Sequence, residues 1–317
     1  MTRTGLLFDK RFQFHDTGPG HPERPSRLEA IERGLRDVGA FEWTTPIEPT
    51  PIDDATLLRV HTRAYLDRLR LACDSGRKHI DVLDSAICPE SETIARLAAG
   101  GVISAARQVA TGALTRALCI VRPPGHHAEA DRSMGFCLYS NIALAARVLL
   151  DDYFTRVAVL DFDVHHGNGT QHIFDAEPRL LFCSSHEHPD YQYPGTGYAH
   201  ERGVGAGEGA TLNLPLMPAT GDPEARAVIF ETALPAIEAF RPEALLLSAG
   251  FDAHVDDPLG GLRWTDATFD AITEACVDLA ERVCEGRIVS VLEGGYDLGA
   301  LERCVAQHAH RLADQVR

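Results

Sequence analysis

The chain has 317 residues, of which 44% are hydrophobic and 24% charged, a composition typical of a globular protein that buries a large core. Its formal net charge of −16 argues against nonspecific nucleic-acid binding, which needs clustered Lys and Arg. The eight cysteines form no CxxC pair, so we expect them to be reduced. The N-terminal residues do not have the pattern of a signal peptide and no apolar run reaches membrane-spanning length, so we expect a cytoplasmic protein.

Amphipathic segments along the chain predict the helices. The first begins at Ser26, where Glu29 completes a capping box and apolar residues follow at helical spacing. Similar patterns predict helices over residues 90–111, 138–152, 222–240, 265–285 and 298–315. No internal repeat or linker divides the sequence, which predicts one domain over residues 1–317.

Short apolar runs alternate with these helices and predict strands. They cover residues 117–121, 157–160, 180–183, 244–247 and 288–292. Runs this short and unbroken, separated by helices, are typical of a parallel sheet with helices on both faces, so the predicted fold class is α/β.

A polar motif follows each of the five runs. In chain order the motifs are RPPGHH, DFDVHHGNG, SSHEH, SAGFDAH and EGGY. Because parallel α/β sheets bind ligands beyond the carboxyl ends of their strands, we expect the five motifs to meet at one site.

The second and fourth motifs carry ligands suited to a metal ion. Asp163 and His165 lie two residues apart just past a strand, so both can point at one ion, and Asp252 completes a set of three. Two carboxylates, one imidazole and an open position for water make a catalytic zinc site, although iron or cobalt also fits. A site for two ions would need further carboxylates where Gly167 and His254 stand, so we predict a single ion.

His126 and His127 are adjacent on a loop, so their imidazoles can serve different atoms. One would act on the attacking water and the other on the leaving amine, and the residues alone leave open which does which. Each needs a partner for its second nitrogen, and Asp161 and Asn168 beside the metal motif are candidates. A carboxylate partner makes a histidine more basic than an amide partner does, so we expect an unequal pair.

Tyr296 follows two glycines, Gly294 and Gly295, which let the backbone bend close to the site. Its hydroxyl can hydrogen-bond a carbonyl oxygen and stabilise the negative charge that develops there. With the histidine pair and a metal ion, this donor predicts the hydrolysis of an amide.

These motifs together resemble the histone deacetylase family, which has the arginase/deacetylase fold. PPGHH, DFDVHHGNGTQ, YPGTG, SAGFDAH and LEGGY occur in this order, and the likeness covers nearly the whole chain. HPERPSR, ICPES and Asn168 are similar to class II members and to bacterial histone deacetylase-like amidohydrolases. The resemblance implies a single-domain parallel sheet of about eight strands, with zinc on Asp163, His165 and Asp252, an acid–base pair of His126 with Asp161 and His127 with Asn168, and Tyr296 on the substrate carbonyl.

The resemblance also implies a narrow tunnel for an acyl-lysine side chain. Its matching positions are Gly135, Phe136, Tyr193 and Leu259, with Tyr193 where the family usually has Phe. Some members bind a structural potassium ion, and the matching positions for it are Asp161, Asp163, His165, Ser184 and Ser185.

Two substrate classes compete. The first hypothesis is a zinc-dependent deacetylase for N6-acetyl-lysine in proteins or peptides, and the second is an amidohydrolase for acetylated polyamines or other small acetyl-amines. Leu259 stands where polyamine enzymes of this family often have an acid, which favours the first, although Asp16 or Glu187 could supply a charge at the rim. A noncatalytic protein and a two-metal ureohydrolase are disfavoured by the retained site residues and by the one-ion ligand set. We expect no nucleic-acid or membrane partner, and the oligomeric state, a homo-oligomer included, is left open.

Overall fold

The computed structural model describes residues 3–313. Its strands are β1 Thr4–Phe8, β2 Thr45–Pro46, β3 His79–Ile80, β4 Val82–Ala86, β5 Arg116–Ile120, β6 Val157–Asp161, β7 Leu180–Glu187, β8 Thr211–Leu216, β9 Ala244–Ala249 and β10 Ile288–Leu292. Its helices are α1 Ser26–Asp37, α2 Ala40–Trp43, α3 Asp54–Leu57, α4 Arg63–Asp74, α5 Ser91–Ala110, α6 Asn141–Asp152, α7 Asn168–Phe174, α8 Asp222–Val228, α9 Leu234–Phe240, α10 Asp266–Val283 and α11 Leu298–Ala313.

Eight strands form one sheet in the order β2-β1-β5-β10-β9-β6-β7-β8, and all its pairings are parallel. The predicted α/β class and the sheet of about eight parallel strands are confirmed. β5, β6 and β10 are buried at every position, as strands covered on both faces are. The five predicted strands correspond to β5, β6, β7, β9 and β10. The last four of these begin at the predicted residue.

Most of the strands that the sequence did not predict lack an unbroken apolar run, although β1 has one over residues 5–8. β8 lies at the sheet edge, is only half buried and contains Pro215, which an edge strand tolerates. β1 and β2 lie at the other edge, and β3 and β4 form a separate antiparallel hairpin. Short unbroken apolar runs therefore identified the central strands, but not those at the margins.

The predicted helices are present with two differences. α1 begins at Ser26 as predicted, but the capping box is wrong, because Pro25 is the N-cap residue and no side chain caps the helix. The predicted segment 222–240 is α8 and α9 joined by a π turn at Ile229–Ala233, just before Pro235, whose ring disfavours a regular helical turn preceding it. The predicted helix end at residue 315 lies outside the described residues.

All eight cysteines are free thiols, and only Cys88 is not buried, in agreement with the expectation from their spacing. Of the helices in residues 3–313, none has the length and apolar character needed to cross a membrane.

Candidate active site

The five polar motifs lie at one edge of the main sheet. Four of them begin at or just after the carboxyl ends of β5, β10, β9 and β6, and SSHEH forms the end of β7, which extends to Glu187. These five strands are consecutive in the sheet and run in the same direction. Segments that follow their carboxyl ends are therefore neighbours, and hydrogen bonds join the loops after β5, β6, β9 and β10.

Asp163, His165 and Asp252 form a compact, buried cluster. Nδ1 of His165 lies 3.0 Å from Oδ1 of Asp163 and 3.1 Å from Oδ2 of Asp252. One ligand atom from each residue lies within 4.8 Å of the others. The backbone N–H of Gly294 donates to the second oxygen of Asp163 at 2.8 Å, and that of Val164 donates to Asp252 at 2.9 Å. These bonds fix both carboxylates so that their remaining oxygens face one point.

The cluster carries more negative than positive charge. Burial disfavours ionisation of Asp163, but the charge of His126 and the hydrogen bonds from His165 outweigh burial and lower the pKa of Asp163. Burial and the nearby charge of Asp163 raise the pKa of Asp252. Burial opposes protonation of His165, but hydrogen bonds to Asp163 and Asp252 raise its pKa to about 10. Two buried carboxylates that together hold a proton on an imidazole are a favourable environment for a cation.

The two adjacent histidines have different partners. Nδ1 of His126 lies 3.0 Å from Oδ2 of Asp161, and Nδ1 of His127 lies 2.7 Å from Oδ1 of Asn168. Nδ2 of Asn168 donates to Oε1 of Glu129 at 2.6 Å, so the amide oxygen is the atom that faces His127. Nδ1 of His127 therefore carries the hydrogen, and Nε2 of the neutral imidazole is free to accept one.

The two imidazoles also differ in basicity. Burial lowers the pKa of His126, but the charges of Asp161 and Asp163 outweigh burial and raise the pKa to about 10. Burial and the neighbouring His126 and His165 hold the pKa of His127 well below its usual range. A cation at the carboxylates would lower both pKa values, so His126 would remain the more basic of the two. This is the order of basicity that a carboxylate partner for His126 and an amide partner for His127 predict.

Tyr296 is 7% exposed. Burial and the charge of Asp252 hold the pKa of its phenol well above the usual range, so the hydroxyl stays a hydrogen-bond donor. The backbone N–H of Tyr296 donates to Oδ2 of Asp257 at 2.6 Å, and the guanidinium of Arg27 lies 5.0 Å from the ring centroid. Gly295 has φ +116°, a conformation that L side chains rarely adopt, and this turn carries the tyrosine to the site.

A pocket of about 260 Å³ opens onto these groups. It is lined by Asp84, His127, Gly135, Phe136, His165, Gln192, Tyr193, Leu259 and Tyr296. The four positions that the resemblance assigned to a tunnel are all in its wall. Two rings stand edge-on to site residues, Phe136 to Tyr296 at 5.9 Å and Tyr193 to His127 at 5.1 Å between centroids. Of the two adjacent histidines, His127 lines the pocket and His126 does not.

The acids considered for the rim lie elsewhere. Glu187 is buried and accepts hydrogen bonds from the backbone of Gly261 and the side chain of Gln192, so it is not available as a rim charge. Asp16 lines a different, open pocket. The acid in the pocket wall is Asp84, on β4, and no sequence motif pointed to it because an acid on a surface hairpin is ordinary.

The positions matched to potassium lie beside the metal cluster. Asp161, the last residue of β6, is the register partner of Ser184, which lies in the middle of β7. The hydroxyl of Ser184 lies 2.8 Å from Nδ1 of His186, whereas that of Ser185 is buried without a hydrogen-bond partner among residues 3–313.

A second group of metal-ligating residue types, His254, Asp266 and Cys304, is better explained as a structural network. Nδ1 of His254 accepts from the backbone N–H of Asp256, so its hydrogen is on Nε2, which donates to Asp266 at 2.8 Å. Arg303 neutralises the same carboxylate with two hydrogen bonds. No lone pair of His254 is left for an ion.

Several residues that support the site were not predicted to do so. Arg27 and Glu293 lie inside motifs that the sequence singled out, HPERPSR and EGGY, but their contacts join distant parts of the chain. Asp257 and Glu129 belong to no motif that the sequence analysis identified. Asp257 accepts a hydrogen bond from the backbone of Tyr296, and Glu129 accepts one from the side chain of Asn168.

Comparisons with known proteins add to this geometry. The family model described as the histone deacetylase domain matches residues 21–312. A protein of Archaeoglobus fulgidus named "Probable deacetylase" is 41% identical over 301 residues, which are 94% of this chain and 83% of that protein. The histone deacetylase-like amidohydrolase of Pseudomonas aeruginosa is 36% identical over 321 residues, 95% of this chain and 84% of that protein. The crystal structure of the HDA15 HD domain matches with a TM-score of 0.94 at 36% identity, covering 99% of this chain and 90% of that one.

Proposed function

Because the chain belongs to the histone deacetylase family, we propose that it hydrolyses the amide of N-acyl amines, acetyl amines above all, with N6-acetyl-lysine in peptides or proteins as the main substrate class. One observation carries the proposal. A neutral histidine, a buried phenol and the imidazole of the metal cluster, His127, Tyr296 and His165, line the same pocket. A base, a hydrogen-bond donor and a cation site that face one cavity suit amide hydrolysis.

We propose one zinc ion at this site, held by Asp163, His165 and Asp252. The fit rests on the donor set, since two buried carboxylates and one imidazole converge with spacings of 3.0 and 3.1 Å between ligand atoms. When bound, zinc would supply a Lewis acid that polarises the carbonyl and the attacking water. His254 faces Asp266 instead of the cluster, which supports a single ion.

His127 is the proposed base and acid. Its Nε2 accepts a proton from the water whose oxygen attacks the carbonyl carbon, and it returns that proton to the amine nitrogen as the carbon–nitrogen bond breaks. A histidine whose pKa lies below the working pH is free to accept this proton, and His127 meets this condition while His126 does not. The products are a carboxylic acid and an amine, and the acid then gives up its remaining proton, so that they leave as a carboxylate and an ammonium.

His126 and Tyr296 would stabilise the charge that develops during the reaction. His126 stays protonated through its contact with Asp161 and so places a positive charge next to the metal cluster. The hydroxyl of Tyr296 would donate to the carbonyl oxygen as that oxygen becomes negative. Asp257 and Arg27 hold the tyrosine through its backbone and its ring.

The pocket walls favour an acyl-lysine side chain. Phe136, Tyr193 and Leu259 offer apolar surface to a chain of methylene groups, and Gly135 leaves room between them. A second candidate, an acetylated polyamine, is favoured by Asp84, a carboxylate in the same wall that would attract a distal ammonium.

We also propose a structural potassium ion beside the zinc motif, at Asp161, Asp163, His165, Ser184 and Ser185. The buried hydroxyl of Ser185 has no hydrogen-bond partner within residues 3–313, which supports an ion there that this oxygen could bind.

The deciding experiment is a hydrolysis panel with the metal content controlled. Acyl-lysine peptides of several acyl lengths are compared with acetylputrescine and acetylspermidine, for wild type and for Asp84→Asn. We expect the highest kcat/KM for acetyl-lysine peptides, and a loss in the variant that is confined to the polyamines. A clear preference of the wild type for acetylpolyamines would overturn the main substrate class, and no hydrolysis of any acyl amine would overturn the function.

A further inference from the structure

Glu293 links the loops that carry the histidine pair and Tyr296. It follows β10, which lies between β5 and β9 in the sheet. Its Oε2 accepts from the backbone N–H of Gly125 at 2.7 Å and from that of His126 at 3.1 Å. One side chain thus satisfies two successive donors of the histidine loop.

The main chain of Glu293 is fixed as firmly as its side chain. Its N–H donates to the carbonyl oxygen of Ala249, at the end of β9, at 3.0 Å. Its carbonyl oxygen accepts from Arg27 at 2.6 Å, and Arg27 also donates to the carbonyl oxygen of Gly295 at 2.7 Å. Hydrogen bonds therefore fix both the side chain and the main chain of Glu293 between the loop of His126 and the turn before Tyr296.

Burying the carboxyl group of Glu293 costs free energy of folding, which a side chain that only filled space would not. It is fully buried, it makes no ion pair with Lys or Arg among residues 3–313, and its Oε1 has no hydrogen-bond partner there. Burial raises the pKa of Glu293 to about 7, against the charge of His126 and the two backbone hydrogen bonds. An apolar side chain would avoid this cost, but it would leave the N–H groups of Gly125 and His126 unpaired.

We propose that Glu293 is a positioning residue for the hydrolysis: its carboxylate oxygen holds the backbone at His126 and so sets where the histidine pair stands relative to Tyr296. This rests on the proposed function. It assigns no contact between Glu293 and the substrate, so the residue acts on the chemical step and leaves binding in the pocket unchanged. A shift of the histidine loop of the order of 1 Å is enough to lower turnover by about 100-fold.

Two substitutions separate the acceptor from the charge. Glu293→Leu removes the acceptor, and Glu293→Gln keeps a carbonyl oxygen that can accept both N–H groups. The matched control is Glu92→Leu, which removes a buried carboxylate that accepts from Arg96 and Tyr139, outside the candidate site. If Glu293→Leu does not fold, Glu293→Ala replaces it, because the smaller side chain leaves room for water.

The measurements are made on the zinc-loaded full chain with an acetyl-lysine peptide. For Glu293→Leu we expect kcat to fall about 10- to 100-fold with KM within about 2-fold of wild type, and faster amide hydrogen exchange at Gly125 and His126. Glu293→Gln should recover most of the turnover and the exchange protection. Glu92→Leu should lower Tm without changing kcat.

Either of two results would overturn the proposal: wild-type turnover in Glu293→Leu, or a Glu293→Gln variant as impaired as Glu293→Leu. If wild type hydrolyses no acyl amine, the proposed function is wrong, but the role of Glu293 is still tested by hydrogen exchange. Unchanged amide exchange at Gly125 and His126 in Glu293→Leu would show that Glu293 does not hold the histidine loop.

Discussion

Nδ1 of His127 lies 2.7 Å from the amide oxygen of Asn168, and this contact decides which nitrogen of the histidine can take up a proton. Asn168 keeps its orientation because its Nδ2 donates to Glu129. A neutral amide supplies no charge to His127, so burial holds the pKa of the imidazole low and leaves Nε2 free to act as a base.

Asn168→Asp should move the acidic limb of the profile of kcat/KM against pH to higher pH. A carboxylate at this position favours the protonated imidazole, so His127 loses its basic form at a higher pH, by about one unit. The same change places two carboxylates together, which lowers the free energy of unfolding. Adding Glu129→Gln should restore stability while the acidic limb stays shifted. An unmoved acidic limb would contradict the assignment of His127 as the base.

Tyr296→Phe should lower kcat by about 100-fold or more, because the variant loses the donor that stabilises the developing oxyanion. KM and zinc affinity should change little, since the ring still packs against Phe136 and Arg27. Tyr198→Phe is the matched control, since it removes a hydroxyl that donates to the exposed Asp190 outside the pocket, and its turnover should equal that of wild type. Near-normal turnover in Tyr296→Phe would remove the tyrosine from the mechanism.

The sequence predicted the parts of the molecule that leave a local pattern. Buried central strands appear as unbroken apolar runs, so the starts of β6 and β9 were found to the residue, and the motifs after them located Asp163 and Asp252. Edge strands such as β8 mix polar and apolar residues and leave no such run.

The supporting contacts could not be predicted, because they depend on distances across the sheet. Arg27 and Gly295 are 268 positions apart, and Glu293 lies 167 positions from the backbone donor that it holds at His126. Which histidine faces the pocket also depends on loop geometry, so sequence reasoning left the two roles open.

Gly135→Ala should lower kcat by about 10-fold or more. A Cβ at Gly135 would lie 2.7 Å from Cγ of His127 and closer still to Cδ2, so the imidazole must move. Gly112→Ala is the matched control: it has a similar positive φ, +74° against +52°, but nothing lies within 4 Å of its added Cβ. Both variants carry a similar backbone strain, of about 1 kcal/mol, and only Gly135→Ala should lose turnover. Equal turnover in the two variants would show that the space beside His127 is not needed.

Removal of the metal should abolish hydrolysis and lower Tm. Without a cation, Asp163 and Asp252 keep their negative charge buried around His165, and zinc at 100 times its Kd adds about 2.7 kcal/mol to the free energy of unfolding. For a chain of this length, this corresponds to a rise in Tm of about 4 °C when zinc is returned after chelation. In Asp252→Asn the zinc-dependent rise should be much smaller. An equal rise in that variant would place the ion elsewhere.

Four buried histidines should make the protein less stable in mild acid. Burial is the largest influence on each and lowers the pKa of His15, His61 and His186 to about 4 and that of His308 to about 3. In the unfolded chain a histidine has a pKa of about 6.5, so between these values the unfolded state binds protons that the folded state does not. The stabilising effect is complete above about pH 6.5 and is lost as the pH falls toward 4. The free energy of unfolding should fall by about 1.4 kcal/mol per pH unit for each histidine, as measured by denaturant titration.

His308 isolates this effect from the active site. The hydroxyl of Thr273 donates to the carbonyl oxygen of Phe269, so Nδ1–H of His308 donates to Thr273 while Nε2 accepts from Ser290. Both ring nitrogens are used by the neutral form, and a second proton would break the bond from Ser290. His308→Leu should therefore reduce the slope of stability against pH by about 1.4 kcal/mol per unit between pH 6 and 4. Phe269→Leu, in the same buried ring cluster, should lower stability at every pH without changing the slope. If His308→Leu keeps the wild-type slope, the proton uptake in acid belongs to other groups.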